Sequence, residues 1–326
     1  MFILFICFGV TSAVKAFSDG DFAEAIKTSM NMADADEGFG TDEFPFFHEV
    51  WSCGDDEDGA AKVVRIPLRG EIFFEEGRLK SSAASMAMQM IRRATLDEDV
   101  RAIVIEIDSP GGGITASDML WNSLCEFREA DTNRAVVAVM EDICASGGYY
   151  VAAAADAIVA HPTTLTGSIG VIISSINVKE LADRIGIKDV SIASGENKQM
   201  LHPMRDLTDE QRAMLKASVD ALNKRFIKVV AEGRGMPEED VAKIADGRVF
   251  LADEAKSLGL VDDIGYFADA LDDLRELLGE DSLHVVRYER KTSFRDIFDG
   301  EGIWSLETQL RRLEGATRTR FLYEWR

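Results

Sequence analysis

The chain has 326 residues, 46% of them hydrophobic, which suffices for one large domain or two smaller ones with a full-size core. Its 36 basic and 58 acidic side chains leave a formal net charge of −22. Such a surface repels phosphate backbones, which argues against nucleic-acid partners. None of the four cysteines forms a CxxC pair or a metal-ligand spacing, so neither a metal nor a cofactor is predicted.

The chain starts with an apolar run from Phe2 to Val14 that contains no charge. This run is shorter than the roughly 20 residues that cross a bilayer as a helix, but it has the length of a signal-peptide core. The small residues of Val14-Lys15-Ala16 suit a cleavage site, although no basic residues precede the run. We predict a signal or anchor segment over residues 1–17. The alternative is a buried strand or helix of the main domain.

Residues 18–60 are strongly acidic, with thirteen Asp or Glu and a single Lys. This composition predicts a solvated, partly disordered linker, in which Phe22–Met32 has the pattern of a short amphipathic helix. The run Asp55–Asp58 offers carboxylates to a cation, but carboxylates this dense are usually only solvated.

From residue 61 the chain alternates between strand and helix patterns. Nearly continuous apolar strands are predicted at 62–72, 100–108 and 134–140, and helices at 81–95 and Thr115–Ala130. Glycine-marked turns follow the second and third strands, and YYVAAAAD continues as a helix. This order predicts an α/β fold with a parallel sheet, in which sites lie at the carboxyl ends of the strands.

The second half contains shorter elements. IVAH, GVIISSI and VSIA are predicted strands, and Leu207–Glu232 is a long helix, capped by Thr208 with Gln211 and ended by Gly233. A short helix should begin at Pro237. Residues 245–265 indicate a turn, a short helix and a short strand, and residues 280–326 a tail or packing arm.

Ser146 is the first candidate for chemistry, because it occupies Ala-Ser-Gly-Gly between an apolar strand and an Ala-rich helix. Small neighbours permit a sharp turn that leaves Oγ accessible, and the adjoining helix start could stabilise an oxyanion through the N–H of Gly147. The competing interpretation is that Ser146 only caps the helix.

The second turn, Ser109-Pro110-Gly111-Gly112-Gly113, allows a backbone conformation and a close ligand approach that other residues forbid. It could supply a second oxyanion donor, or simply form a tight turn or a phosphate loop. The nucleotide-binding motifs GxGxxG and GxxxxGK are absent, which argues against a nucleotide site.

A nucleophilic serine needs a base. His161 and His202 both precede proline, and nothing in their surroundings indicates catalysis. Lysine is the other known base, where burial lowers its pKa. Lys198 lies in SGENKQM, and by context alone it resembles an ordinary surface lysine.

Five motifs in order, SPGGG, ASGGYYVAAAAD, TLTGSIGVI, SGENKQM and ADGRVFLADEAKSLGLVDDIG, resemble the signal peptide peptidase A (protease IV) family in its short, single-domain form. The resemblance covers residues 61–279. It implies a crotonase/Clp-protease-like spiral of ββα units and a Ser–Lys dyad. The nucleophile would be Ser146, the base Lys198 and the lysine-orienting residue Ser168. Gly112 and Gly147 would carry the oxyanion-hole N–H groups.

The resemblance also implies the substrates, the cellular location and the oligomeric state of the protein. Substrates would be remnant signal peptides and other apolar, extended peptides, cleaved at the membrane with the peptidase domain on its extracytoplasmic side. Short members of the family form ring-like homo-oligomers, in which adjacent subunits supply the serine and the lysine. Three alternatives stay open: a crotonase-type acyl-CoA enzyme with an acidic base, a Ser-His-Asp peptidase using His161, and an inactive membrane-complex scaffold.

Overall fold

The computed structural model describes residues 47–55, 59–74 and 82–290, together with the backbone of 321–324. The predicted segment 1–17 and the predicted helix Phe22–Met32 lie outside the described residues. The chain divides into two units, residues 1–48 and 49–326. Only the last two residues of the first unit are described, so the architecture is that of the second unit.

Twelve strands occur in the described part of the chain. They are β1 (Phe47–Gly54), β2 (Ala61–Arg69), β3 (Val100–Ser109), β4 (Gly111–Gly113), β5 (Ala135–Ala145), β6 (Ala157–Ala160), β7 (Leu165–Gly167), β8 (Ile172–Ile173), β9 (Val249–Leu251), β10 (Asp263–Ile264), β11 (Leu283–Arg290) and β12 (Phe321–Glu324).

The helices over the same residues are α1 (Ala83–Leu96), α2 (Ile114–Glu129), α3 (Gly147–Ala152), α4 (Lys179–Ile185), α5 (Asp209–Arg234), α6 (Glu238–Ile244), α7 (Ala252–Ser257) and α8 (Phe267–Leu278). A 3₁₀ turn spans Glu196–Gln199.

Nine of these strands form one sheet, in the order β1-β11-β2-β3-β5-β6-β10. The central strands β2, β3, β5 and β6 are parallel to one another. β7 pairs with the carboxyl end of β5, and β9 pairs with β7. Successive side chains of a strand point to opposite faces. Val104 packs with Leu274 of α8 on one face, while the neighbouring Ile103 and Ile105 are fully buried on the other. The predicted α/β fold with a parallel sheet, buried on both faces, is therefore confirmed.

The domain boundaries stay a prediction. β1 lies within the acidic range 18–60, and β11 lies within the range 280–326 and pairs in parallel with β2. No helix of the described residues is long and apolar enough to cross a membrane.

Two local predictions are wrong. The VSIA segment is not a strand, because it finds no neighbouring strand to pair with among the described residues. Its Val190 and Ile192 are 87% and 100% exposed. The long helix does not end at Gly233 but at Gly235, whose φ of 61° is the left-handed conformation of a helix C-terminus. The capping box of Thr208 and Gln211 is confirmed.

Gly233 has a packing role instead. A Cβ placed on it would lie 2.0 Å from the carbonyl oxygen of Ala153, directly after α3. We expect Gly233→Ala to lower the free energy of unfolding by about 3 kcal/mol, because backbone must move to admit the methyl group. The matched control is Gly235→Ala, where nothing lies within 4 Å. It should cost only about 1 kcal/mol for its positive φ. Urea unfolding of both variants measures the difference, and equal losses would contradict the packing role.

A second, smaller sheet has the order β4-β12-β8. It brings the glycine strand β4, which follows β3 directly, together with two short segments from distant parts of the chain. This small sheet lies at the edge where the predicted oxyanion residue Gly112 is found.

Candidate active site

Ser146 lies at a sharp turn between the end of β5 and the start of α3. Its φ of 52° and ψ of −114° are rarely adopted by a residue with a side chain. Both sides of the turn are held: Ser146 N donates to the carbonyl of Gly167 at 2.8 Å, and Tyr150 N donates to the carbonyl of Ser146 at 2.9 Å. Backbone strain fixed in this way is typical of a nucleophile positioned for reaction.

Ser146 occupies the N-cap position of α3, but its side chain does not cap the helix. Although it precedes α3, its side chain makes no capping hydrogen bond. The first N–H groups of a helix have no partner within the helix, so those of α3 can serve another acceptor. The residue is 1% exposed. A strained, nearly buried serine that does not cap its helix has the features of a functional residue rather than a structural one.

The two glycine turns meet beside Ser146. A Cβ built on Gly147 would lie 2.5 Å from Ser117 Oγ and 3.2 Å from the backbone nitrogen of Gly112. This proximity follows from the sheet, because β3 and β5 are parallel neighbours and Ser109 pairs with Cys144 where they end. The predicted oxyanion residues Gly112 and Gly147 are therefore brought together.

The orientation of β4 is set by Ile72. Ile72 N donates to the carbonyl of Gly111 at 2.9 Å, and Gly113 N donates to the carbonyl of Ile72 at 2.8 Å. Because backbone groups alternate in direction along a strand, the N–H and C=O of Gly112 point away from Ile72, toward the opposite edge of β4.

Ser168 also belongs to this cluster. It follows β7, whose Gly167 pairs with Ala145 immediately before Ser146. Ser168 is buried, has a φ of 49°, and its N–H donates to the carbonyl of Arg248 at 2.8 Å. The structure thus places Ser146 and Ser168 at the ends of two adjacent, paired strands.

Lys198 is not joined to this cluster in the single chain. It lies on the 3₁₀ turn Glu196–Gln199, within an exposed stretch, and is itself exposed. Over the residues that the structure describes, neither Lys198 Nζ nor Ser146 Oγ forms a hydrogen bond, to each other or elsewhere. The serine turn is therefore assembled within one chain, and the lysine is presented on its surface.

Other titratable groups near the site take different roles. The ring of His161 lies 5.2 Å from that of Tyr266, and His202 Nδ1 accepts from Met204 N at 3.2 Å. Neither histidine is hydrogen-bonded to Ser146 within the described ranges. Burial raises the pKa of the Cys144 thiol far above its ordinary value, so this neighbour stays protonated and is a poor nucleophile.

Comparisons with known proteins bear on this arrangement. Residues 128–280 match the model of peptidase family S49. A putative signal peptide peptidase SppA of Enterococcus faecium is 34% identical over 243 residues, which cover 73% of this chain and 70% of that protein. Protease 4 of Salmonella typhi is 35% identical over 240 residues, covering 74% of this chain and 38% of that protein.

The chain belongs to peptidase family S49. It is therefore a serine peptidase, as the sequence motifs predicted. Among solved structures, a mutant of ClpP1 from Listeria monocytogenes is similar over 64% of this chain and 94% of that chain, with 19% identity and a TM-score of 0.40.

Sequence analysis of this S49 peptidase did not identify three residues whose hydrogen bonds hold the glycine strand and the helix after Ser146. Ile72 holds β4 through its backbone, and Ser117 Oγ donates to the carbonyl of Gly113 at 3.1 Å. Tyr149 anchors α3 by donating to the carbonyl of Leu260 at 2.8 Å. Ile72 acts through backbone atoms that every residue has, so its side-chain type carries no signal. Ser117 and Tyr149 lie in ordinary helical sequence.

Proposed function

We propose that this S49 peptidase is an endopeptidase with a Ser–Lys dyad, in which Ser146 is the nucleophile, Lys198 the base and Ser168 the residue that orients the lysine amine. Gly112 and Gly147 would donate the two oxyanion-hole N–H groups. One observation carries the proposal: Ser146 is held in a strained turn without capping its helix, directly beside the glycine strand β4.

The reaction would proceed through an acyl-enzyme. The neutral Lys198 amine takes the proton of Ser146 Oγ as that oxygen bonds to the scissile carbonyl carbon. The carbonyl oxygen becomes an oxyanion that accepts from the N–H groups of Gly112 and Gly147. As the C–N bond breaks, the ammonium returns its proton to the leaving amine. Water, deprotonated by the same amine, then releases the acid and restores Ser146.

The exposure of Lys198 sets a condition for this chemistry. A lysine works as a base when its surroundings disfavour the charged form, which requires that water be excluded. In this chain another surface must cover Lys198. Much of the surrounding stretch is apolar and exposed, as Ile176, Val190 and Ile192 illustrate at 75%, 87% and 100%. A second copy of the chain on this surface would exclude water from Lys198 and would bury the exposed apolar side chains. These two requirements support a ring-like homo-oligomer with sites shared between subunits.

The substrates would be apolar, extended peptides, remnant signal peptides among them. A groove of about 460 Å³ adjoins β8, and much of its lining is aliphatic: Ile172, Ile176, Leu201, Leu207, Leu215 and Val219. Such a lining favours apolar side chains. We place this activity at the membrane, where such peptides arise, with the peptidase domain on the extracytoplasmic side and the predicted segment 1–17 as the means of attachment.

Mixing two inactive chains tests the shared site. Lys198→Ala and Ser146→Ala should each lack peptidase activity. After dissociation and reassembly at equal amounts, half of the sites hold an intact serine, and half of these face an intact lysine. We therefore expect about a quarter of the wild-type activity to return, measured with an apolar fluorogenic peptide.

The matched control replaces Lys198→Ala by Lys188→Ala, which lies in the same exposed stretch. This chain should retain full activity alone. Inactive mixtures would contradict sharing between subunits, and a fully active Lys198→Ala chain would exclude lysine as the base.

A further inference from the structure

Ser117 lies in the first turn of α2, directly after the glycine strand β4. Its side chain is fully buried, and its Oγ donates to the carbonyl of Gly113, four residues earlier, at 3.1 Å. A serine within a helix often turns its hydroxyl back to this carbonyl, although the bond slightly destabilises the helix. The bond therefore holds the buried hydroxyl against the end of β4.

The same oxygen contacts the first residue of α3. A Cβ built on Gly147 would lie 2.5 Å from Ser117 Oγ, so a methyl group cannot occupy this position while the hydroxyl is there. The next atoms from this Cβ are Cα of Gly111 and the backbone nitrogen of Gly112, both at 3.2 Å. Ser117 Oγ therefore contacts both glycine turns, through the carbonyl of Gly113 on one side and through Gly147 on the other.

A second contact between α2 and α3 lies one residue further along α2. The hydroxyl of Tyr150 donates to Asp118 Oδ1, and the N–H of Tyr150 donates to the carbonyl of Ser146 at 2.9 Å. Arg225 of α5 donates to the same oxygen of Asp118 at 3.1 Å, so this carboxylate binds two donors. Asp118 therefore fixes how α3 is oriented against α2, while Ser117 limits how closely the two helices approach.

The separation of the two turns matters because two donors must reach one oxygen. An oxyanion is stabilised when each N–H donor lies about 2.7–3.1 Å from the position that the oxygen will occupy. The two proposed donors, Gly112 and Gly147, belong to different turns, so no covalent geometry sets the distance between their nitrogens. Misplacement of catalytic groups by about 1 Å can cost about 100-fold in rate. A side chain that contacts both turns can therefore control the rate without touching substrate.

We propose that Ser117 is a positioning residue, whose hydroxyl sets the separation between the oxyanion-hole N–H groups of Gly112 and Gly147. The inference rests on the proposed function, because it takes these two glycines as the donors. It also explains why glycine follows the nucleophile, since any larger residue at position 147 would meet Ser117 Oγ.

A double-mutant cycle tests this role. Ser117→Ala should lower kcat for an apolar fluorogenic peptide about tenfold with KM unchanged, because the donors bind an oxyanion that exists only in the transition state. Gly147→Ala should lower kcat about 100-fold or more, because its methyl group meets Ser117 Oγ and spreads the two turns. In the double variant that oxygen is gone, and the nearest atoms are at 3.2 Å. Its kcat should therefore exceed that of Gly147→Ala about tenfold.

Ser123, another buried serine of α2, supplies the matched control for this cycle. Ser123→Ala should keep kcat within about twofold of wild type. Circular dichroism and thermal unfolding establish that each variant folds. A double variant no more active than Gly147→Ala would overturn the proposal, as would a Ser117→Ala chain with the kcat of wild type.

Inhibitor binding separates positioning of the donors from a general structural loss. A peptide boronic acid forms a tetrahedral anion on the serine hydroxyl and so resembles the oxyanion, whereas the same peptide ending in an amide has no such group. Ser117→Ala should weaken binding of the boronic acid about tenfold and leave binding of the amide unchanged. Equal losses for both compounds, or no loss for either, would overturn the proposal. A wild-type chain that neither cleaves the peptide nor binds the boronic acid would instead remove the proposed function, and this inference with it.

Discussion

Ser146→Ala should lower kcat/KM for peptide cleavage by about 10,000-fold or more, while leaving the fold intact. Loss of the nucleophile removes the acyl-enzyme route altogether, and only the oxyanion N–H groups and substrate binding remain to assist water. The loss should appear in kcat, because the hydroxyl contributes little to binding the ground state. Steady-state kinetics with an apolar fluorogenic peptide measure both parameters.

The control for this variant is Ser123→Ala. Ser123 is another buried serine, on α2, and its hydroxyl contacts Met88 Sδ at 3.0 Å rather than any group of the site. Its loss should leave kcat/KM within about twofold of wild type, because surrounding packing is unchanged apart from one hydroxyl. A Ser146→Ala chain that keeps a tenth of the wild-type activity would contradict the role of Ser146.

Gly112→Ala should lower kcat by about 100-fold to 1,000-fold, the effect of removing one oxyanion donor. A Cβ on Gly112 would lie 2.4 Å from the carbonyl oxygen of Ile72 and 2.6 Å from its nitrogen. Both are backbone atoms, so the methyl group must displace β4 and carry the Gly112 N–H away from the oxyanion.

The neighbouring Gly113→Ala provides a matched comparison. There the nearest atoms belong to the flexible ring of Phe73, at 3.2 Å, which can move aside. We expect a loss of less than about tenfold in kcat from this small repacking. Circular dichroism shows whether each variant folds. Similar kcat values for the two variants would argue that Gly112 donates nothing to the transition state.

The central sheet and the serine turn were predictable from sequence. β2, β3 and β5 are largely aliphatic segments, because a parallel sheet buries both of its faces. Each glycine turn then had to follow a strand, and parallel neighbours bring their carboxyl ends together. That reasoning alone places Ser146 beside Gly112. It did not distinguish a nucleophile from a helix cap, and the ψ of −114° with the absent capping bond argues against the cap.

Contacts between distant backbones were not predictable. The side-chain type of Ile72 does not indicate that its backbone N–H and C=O bind β4. No local sequence pattern predicts that Phe321–Glu324 lies between β4 and β8. The VSIA segment, in contrast, was predicted as a strand and is not one. Its β-branched residues match a strand, but strand formation requires a partner, and this segment is exposed instead. A surface that another copy covers would explain apolar residues in such a position.

The role of Lys198 was predicted only through the family motif, and the single chain leaves it exposed and without a hydrogen bond in the described structure. The base that we propose to act between subunits has no signature within one sequence, since neither the spacing nor the local context of Lys198 indicates a neighbouring subunit. The proposed nucleophile and oxyanion N–H groups, by contrast, are brought together by one chain, and can be tested in it independently of the lysine.

The most direct test of Ser146 as the nucleophile is covalent labelling by a fluorophosphonate, followed by peptide mass spectrometry. The reagent should be applied to the wild-type chain and to Ser146→Ala. We predict a single adduct on the tryptic peptide that contains Ser146 and no adduct in Ser146→Ala. An adduct on another residue, or equal labelling of Ser146→Ala, would contradict the assignment of Ser146 as the nucleophile.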